Sequence, residues 1–429
     1  MLADKVSGTL AGLWLLVPEH LRLGTWELLQ GWTGRPPSSV EPRLALQLIH
    51  EAALCMTGIR QGRALSQRGF ELVNGLPFLA TDQAIHDLLD AHTVQQAQAL
   101  QVALGKLRRA SGHYRGALVA IDPHVLRSYT KRETLRRKSG PDQPSIKSAL
   151  TFFALDADTH QPIAFTSGSA ARTVTQAVPE LLGLVQDILH TGPHEALVLA
   201  DTEHFCAALF EHVALHTPFD LLTPMRATEA LAQQIDTLPR DAFTSAWAGF
   251  STAVLPYHPT NAPRLDLFQL IQRCGEKNGH YQYKSFAATR ATDPVKALTQ
   301  EYPRRWHVEE FFNLEQALGW NRAGSLNLNI RYGHMTMALL AQTLLHQFRQ
   351  RIGEPFRTWE ASHLARNLFQ ALDGDVRVVD DTIVVTYYNA PNADALRPHY
   401  EHLPQKLQAE NICPTVPWLY DFKLDFRFK

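Results

Sequence analysis

The chain of 429 residues is 45% hydrophobic and 19% charged, with a formal net charge of −1 and a pI of about 7.1. Such a length accommodates two or three domains of roughly 100–200 residues, and the balanced charge excludes a protein that coats nucleic acid over its whole surface, so any DNA contact has to come from local basic patches. Cys55, Cys206, Cys274 and Cys413 form no C-x-x-C pair, which excludes a zinc knuckle or a disulfide framework and fits reduced thiols in a cytoplasm.

The first apolar segment, Leu10 to Val17, follows Asp4 and runs into Pro18-Glu19-His20 without a small-residue cleavage site. It reads as a core-facing helix and not as a signal peptide. No stretch approaches the roughly 20 uninterrupted apolar residues of a spanning helix, so no membrane association is expected. Residues 1–115 read as a helical N-terminal domain, broken at Gly34-Arg35-Pro36-Pro37 and Gly75-Leu76-Pro77, with one long helix from Thr81 to Ala110. Thr81 suits its N-cap, and Lys106, Arg108 and Arg109 fall near its end, where cations oppose the helix dipole favourably.

Alternation of strands and helices begins with Ala117 to Ile121, an apolar run of the kind buried on both faces of a sheet, expected to stop at Asp122-Pro123. An aspartate before proline is ordinarily a turn residue. Lys131, Arg132, Arg136 and Arg137 then form a basic cluster in an expected loop, and Ser148–Leu155 with Pro162–Thr166 reads as a hairpin about Asp156-Ala157-Asp158. Val174 to Leu189 has a helix pattern, and Glu195 to Ala200 is a second apolar strand closed by an acid, Asp201. Asp201 stands where it can cap a helix from Thr202 to His212, a use compatible with metal binding. After a short strand, Phe219 to Thr223, a helix around Ala230 and strand pieces broken by proline and glycine interrupt the alternation over about residues 228–282, before a strand from Tyr281 to Thr289.

The stretch from Tyr302 to Gln316 reads YPRRWHVEEFFNLEQ. Pro303 suits a first helical position and pushes Tyr302 toward an extended conformation, so a helix is expected to begin there. Arg305, Glu309, Phe312 and Gln316 share one helical face, with Val308, Phe311, Leu314 and Leu318 as an apolar flank. On spacing alone this is equally a surface helix with a salt bridge. The order Tyr302, Arg305, Glu309, Gln316, together with Trp306 and the Phe311-Phe312 pair, resembles the Tyr-Arg-Glu-Lys signature of bacterial insertion-sequence DDE transposases. Gln316 stands where that family usually has lysine.

The resemblance spans about Asp122 to Ile352 and implies an α/β fold, an RNase H-like mixed sheet flanked by helices over residues 116–353. The β-rich stretch at 228–282 becomes an insertion ahead of the catalytic glutamate, and the N-terminal helical domain a candidate binder of transposon ends. The resemblance further implies that Asp122, Asp201 and Glu309 hold two Mg²⁺ ions, with Mn²⁺ able to substitute, for DNA cleavage and strand transfer; oxygen ligands suit such hard cations and leave positions open for phosphate. Contacts to double-stranded DNA are expected from Tyr302, Arg305, Trp306, Gln316, Lys131, Arg132, Arg136 and Arg137, in a homodimer in a bacterial cytoplasm. Asp156, Asp158 and Glu203 are the rival carboxylates.

Beyond the signature come a long helix, Gly333 to Ile352, and an α+β region, 354–429, to which no function attaches. There a helical stretch, Ala361 to Leu372, precedes a hairpin from Val376 to Tyr388 about Asp380-Asp381, a helix from Ala393 to Ala409 and a final alternating strand. His204, His212 and His216 form the alternative metal cluster, but no H-E-x-x-H supports a zinc hydrolase and no G-x-S-x-G a serine nucleophile. The alternative function is a catalytically silent, domesticated DNA-binding descendant of the same fold. The presence of all three acids favours the active enzyme, and Gln316 is the one mark of drift.

Overall fold

The computed structural model describes residues 5–8, 10–56, 65, 68–129, 131–138, 144–259, 261–262, 265–275, 281–320, 327–388 and 390–429. The chain divides into two compact units, one of Met1–Leu107 with Phe312–Lys429, the other of Arg108–Phe311. In chain order the strands are β1 (Val6–Gly8), β2 (Leu118–Arg127), β3 (Arg136–Lys138), β4 (Ser145–Asp156), β5 (Gln161–Ser169), β6 (Leu197–Leu199), β7 (Asp220–Pro224), β8 (Thr244–Trp247), β9 (Phe250–Tyr257), β10 (Leu267–Cys274), β11 (Gln282–Ala288), β12 (Gly374–Val379), β13 (Thr382–Tyr387), β14 (Thr415–Val416) and β15 (Phe422–Phe428).

The second unit is built on one mixed sheet. Its left part runs β5-β4-β2-β6-β7, with β5, β4 and β2 antiparallel and β2, β6 and β7 parallel. The β-rich insertion does not form a separate body: β11 pairs antiparallel with β7, and β10, β9 and β8 continue the same sheet to its other edge. Where the three strands run parallel their residues are mostly apolar, Leu118–Ala120 of β2, Leu197–Leu199 of β6 and Leu221 and Leu222 of β7, as burial on both faces requires. The helix Val174–Leu189 supplies the connection from β5 to β6, burying Val178, Leu181, Val185 and Ile188.

Several expectations change in detail. The strand bearing Asp122 does not stop there but runs on to Arg127. Proline is tolerated because β6 covers only Leu118 to Ala120 of β2, so that beyond Ala120 only the β4 side is paired and the missing N–H leaves no gap in the ladder. Part of the basic loop is a strand, β3, paired with Ser145 to Lys147. The helix expected from Thr202 is a 3-10 turn, Thr202–His204, followed by a helix Ala207–His216. The signature helix does not begin at Pro303. Asp293 caps an earlier start, with Pro294 at the first position, and the run passes through a π turn (Ala297–Glu301) and a 3-10 turn (Tyr302–Trp306) into an α-helix, His307–Glu315. Pro303 lies at a change of helical geometry, where a proline without its N–H is accommodated.

The first unit packs the helix Leu328–Ile352 against Glu41–Ala53 and Asp82–Asp90. The expected helix Thr81–Ala110 is two, Asp82–Asp90 and Val94–Ala110, because Thr93 and Gln96 exchange side-chain and backbone hydrogen bonds in a capping box that starts the second. Leu10 to Val17 is a 3-10 helix, Ala11–Leu16, continuing into Val17–Leu23, and its Gly12 is required: a Cβ there would lie 2.4 Å from the Leu368 carbonyl oxygen. The helix expected from Ala393 to Ala409 is likewise two, Ala393–Tyr400 and Leu403–Ala409. A second sheet has the order β1-β12-β13-β15-β14. Among the described residues no helix is long and apolar enough to cross a membrane.

Candidate active site

The parallel ladder pairs Ala120 of β2 with Leu199 of β6. Continued two residues further, that register brings Asp122 level with Asp201. Asp122 stays in its strand, opposite Phe153 of β4. Asp201 leaves β6 extended (φ −83°, ψ −179°) to cap the Thr202–His204 turn, its Oδ1 accepting from Glu203 N at 3.0 Å and from His204 Nδ1 at 2.6 Å.

The signature residues come to these acids from the helical run. Arg305 donates through Nη1 to Asp122 Oδ1 at 3.2 Å and through Nη2 to Glu309 Oε1 at 2.7 Å, one guanidinium bridging two carboxylates. Tyr302 places its ring edge-on to Phe286 with centroids 4.8 Å apart, and its hydroxyl donates to the carbonyl oxygen of Ala200, the residue before Asp201, at 3.4 Å. Ala297 and Leu298 of the π turn are buried with Leu199, Leu222 and Phe286, which fixes the run on the sheet.

Three acids around one cation leave surplus negative charge. Burial and the nearby Asp201 push the Asp122 carboxyl up to about 8, against Arg305 and with help from Glu309 and Glu203. Burial acts on Asp201 in the same sense, but the hydrogen bond and charge of His204, with Arg305, hold it below its usual value. Burial opposes the charge on Arg305, yet Glu309 and Asp122 keep it above the ordinary arginine value. Burial pushes the Tyr302 hydroxyl up to about 12.

Among the described residues no three His, Cys, Asp or Glu side chains form a ready-made metal cage; the guanidinium of Arg305 takes the position between Asp122 and Glu309. The donors nonetheless fit a divalent cation in chemistry: they are carboxylate oxygens, and the charge that drives Asp122 toward protonation is what such a cation would offset. Asp122, Asp201 and Glu309 are the residues that would hold it.

The rival carboxylates are engaged elsewhere. Asp156 is fully buried, and its oxygens accept from the backbone N–H groups of Arg115, Gly116, Asp158 and Thr159 and from the Thr159 hydroxyl. Asp158 pairs with Arg304, and Glu203 with Arg137 at 2.8 Å. His212 and His216 lie with ring centroids 5.6 Å apart, while His204 is turned to Asp201 instead of toward them. Arg108 is buried, donating to Pro162 O and Gln161 Oε1, and so has a structural role.

The remaining expected DNA contacts are mostly on the surface. Lys131, Arg132 and Arg136 are exposed, and Arg136 also donates to Ser145 O at 3.3 Å. Trp306 is 55% exposed, with the Arg305 guanidinium 5.9 Å from its ring centroid. Gln316 is exposed and opens a 3-10 turn, Gln316–Leu318, after Glu315 (φ −110°, ψ 2°), so the α-helical period behind its assignment to the Glu309 face ends one residue before it. His204 was not singled out by the spacing of the acids; the signal was an imidazole three residues after Asp201.

No curated protein matches the sequence. Among solved structures, the piggyBac transposase synaptic complex with hairpin DNA is 11% identical, with 86% of this chain and 82% of that one covered and a TM-score of 0.43. The Mos1 transposase paired-end complex with left transposon end is 14% identical, with 39% and 57% covered and a TM-score of 0.17. Likenesses of this size carry no weight. The family described as Transposase DDE domain matches residues 114–344. That is more than half of the 429 residues and takes in all three acids, and the chain belongs to this DDE transposase family.

Proposed function

We propose that this chain is the transposase of a bacterial insertion sequence of the Tyr-Arg-Glu-Lys signature group, cutting DNA at the element's ends and joining them to a target. The supporting observation is that Arg305 bridges Asp122 and Glu309, with Asp201 close enough to act on both Asp122 and Arg305 electrostatically. The strand order β5-β4-β2-β6-β7, with its three parallel members, supports an RNase H-like domain. Two divalent ions, Mg²⁺ or Mn²⁺, would supply activation of the attacking oxygen and stabilisation of the departing one. Asp122, Asp201 and Glu309 hold them in this reading. Arg305, freed from Asp122, turns to phosphate, for which its planar fork is suited. Trp306 stacks on a base, and Lys131, Arg132, Arg136, Arg137 and Gln316 track the backbone of double-stranded DNA, with Tyr302 at the inner wall. The working form is a homodimer on DNA in the bacterial cytoplasm, with residues 1–115 holding the transposon end.

The test is Asp201→Asn. It should reduce Mg²⁺-dependent cleavage of transposon-end DNA by at least about a thousandfold while gel shift shows end binding nearly intact, since affinity rests largely on phosphate contacts. Undiminished cleavage overturns the assignment. Absence of cleavage by the wild-type protein on its own ends, with binding retained, selects the silent DNA-binding descendant.

A further inference from the structure

His204 has no accessible surface, and its ring is only half matched: Nδ1 donates to Asp201 Oδ1 at 2.6 Å, while Nε2 is buried without a partner among the described residues. A hydrocarbon side chain would fill such a place without burying an unmatched polar atom. The turn itself does not need the imidazole. His204 N and Phe205 N close it on the carbonyls of Asp201 and Thr202, at 3.1 and 3.2 Å, and Glu203 N already satisfies the capping carboxylate. What the ring adds is a second donor on the same Asp201 oxygen. Two donors converging on Oδ1 fix the plane of the carboxylate and leave Oδ2 as the oxygen they do not engage. Asp122 and Glu309 are held differently, by a long arginine side chain that can swing away.

We propose that His204 is a positioning residue for the strand-transfer reaction, its Nδ1–H locking Asp201 so that Oδ2 is the oxygen offered to a divalent cation. This rests on the metal-dependent function proposed above. A ligating carboxylate is commonly oriented by such an outer hydrogen bond, whose loss typically costs about 10–100-fold in metal affinity.

The experiment is a titration of the full-length protein with Mn²⁺ alone, followed by electron paramagnetic resonance, for wild type, Asp201→Asn, His204→Leu, His204→Asn and His204→Gln. His204→Leu should weaken Mn²⁺ about 10-fold or more. His204→Asn, whose amide can donate from about the place of Nδ1, should stay within about threefold of wild type, and His204→Gln, which sets its amide one methylene further out, should resemble the leucine variant. Wild-type affinity in His204→Leu, or equal affinities for the Asn and Gln variants, overturns the proposal. The Asn–Gln comparison decides it even where leucine prevents folding. Mn²⁺ binding unaffected by Asp201→Asn overturns the metal-site reading itself, and the His204 proposal with it. With DNA, kcat should fall in His204→Leu and recover in His204→Asn with KM unchanged, a split that a merely structural role would not produce.

Discussion

In the first unit Glu19 is wholly buried between Arg22, at 3.1 Å, and Arg351, at 3.0 Å, and Glu410 takes the other side of Arg22 at 2.6 Å. Two acids meet two arginines. In the second unit Arg305 alone serves Asp122 and Glu309, with Asp201 close enough to act on Asp122 electrostatically. Burial raises the Glu19 carboxyl, but both arginines work against it, whereas Asp122 meets one arginine and several like charges. A cluster that closes on itself serves the architecture; one left with surplus charge, half-buried, has a use for a cation from outside.

The sharpest way to break this contrast is to neutralise one acid in each cluster and unfold the metal-free proteins with urea. Glu19→Gln leaves buried arginine charge short of its partner and should cost about 3–5 kcal/mol. Asp122→Asn replaces a carboxyl that the metal-free cluster already drives toward protonation, so it should cost nothing and gain about 1 kcal/mol. Comparable losses for the two would erase the distinction. Adding Mg²⁺ probes the same contrast from the other side. At a hundredfold excess over its dissociation constant it should stabilise wild type by about 2.7 kcal/mol, equally in Glu19→Gln, and far less in Asp122→Asn. A response in Glu19→Gln as small as in Asp122→Asn would mean that the ion acts elsewhere.

Much of the second unit was legible because Ala117–Ile121 and Ala196–Ala200 are unbroken apolar runs and the helix Val174–Leu189 keeps its period. The acids at the ends of those runs were legible too. That Asp122 lies within β2 was not, since tolerance of Pro123 depends on which side of the strand has a neighbour. The Thr93 capping box was present in the sequence, but an Ala/Leu/Gln-rich pattern on both sides masked it. Arg305 with Glu309 is a four-residue pair that spacing announces; its bond to Asp122, 183 residues away, is not. Nor does any local pattern tell that β1 pairs with β12, Val6 opposite Val376, so that both ends of the chain share one unit.

Acid should also act on the first unit by a route that involves no ion pair. Asn74 Nδ2 donates to Phe70 O, so its Oδ1 accepts from His50 Nδ1 at 2.7 Å, and His50 Nε2 in turn accepts from His20 Nε2 at 3.0 Å. Burial lowers His50 to about 4 and His20 well below its usual value, so both are neutral in the folded protein. The unfolded chain takes up protons below about pH 6.5 that the folded one refuses, so stability is full above that pH and falls between 6.5 and 4. From these two rings urea unfolding should show a loss of about 4 kcal/mol from pH 7 to 5, about 2 for each, and less in His50→Gln. Identical pH profiles would mean that these rings are solvated in solution.

The smallest expected effect concerns charge added outside the carboxylate cluster. Gln316 is exposed, at the start of a 3-10 turn, where the signature family usually has lysine. Glutamine offers DNA only a neutral hydrogen bond, whereas lysine would neutralise one phosphate and release its counterion. Gln316→Lys should therefore tighten DNA binding and steepen its log-log salt dependence by about 0.7–0.9, the increment for one added phosphate contact. Cleavage should persist or rise, and the Mg²⁺ stabilisation measured without DNA should stay as in wild type, because all three acids are unchanged. An unchanged salt slope would take Gln316 off the DNA surface and leave the signature resting on Tyr302, Arg305 and Glu309. A weakened Mg²⁺ response in the lysine variant would mean instead that its ammonium reaches Asp122 or Glu309, placing a second cation in a cluster whose defining feature is having only one.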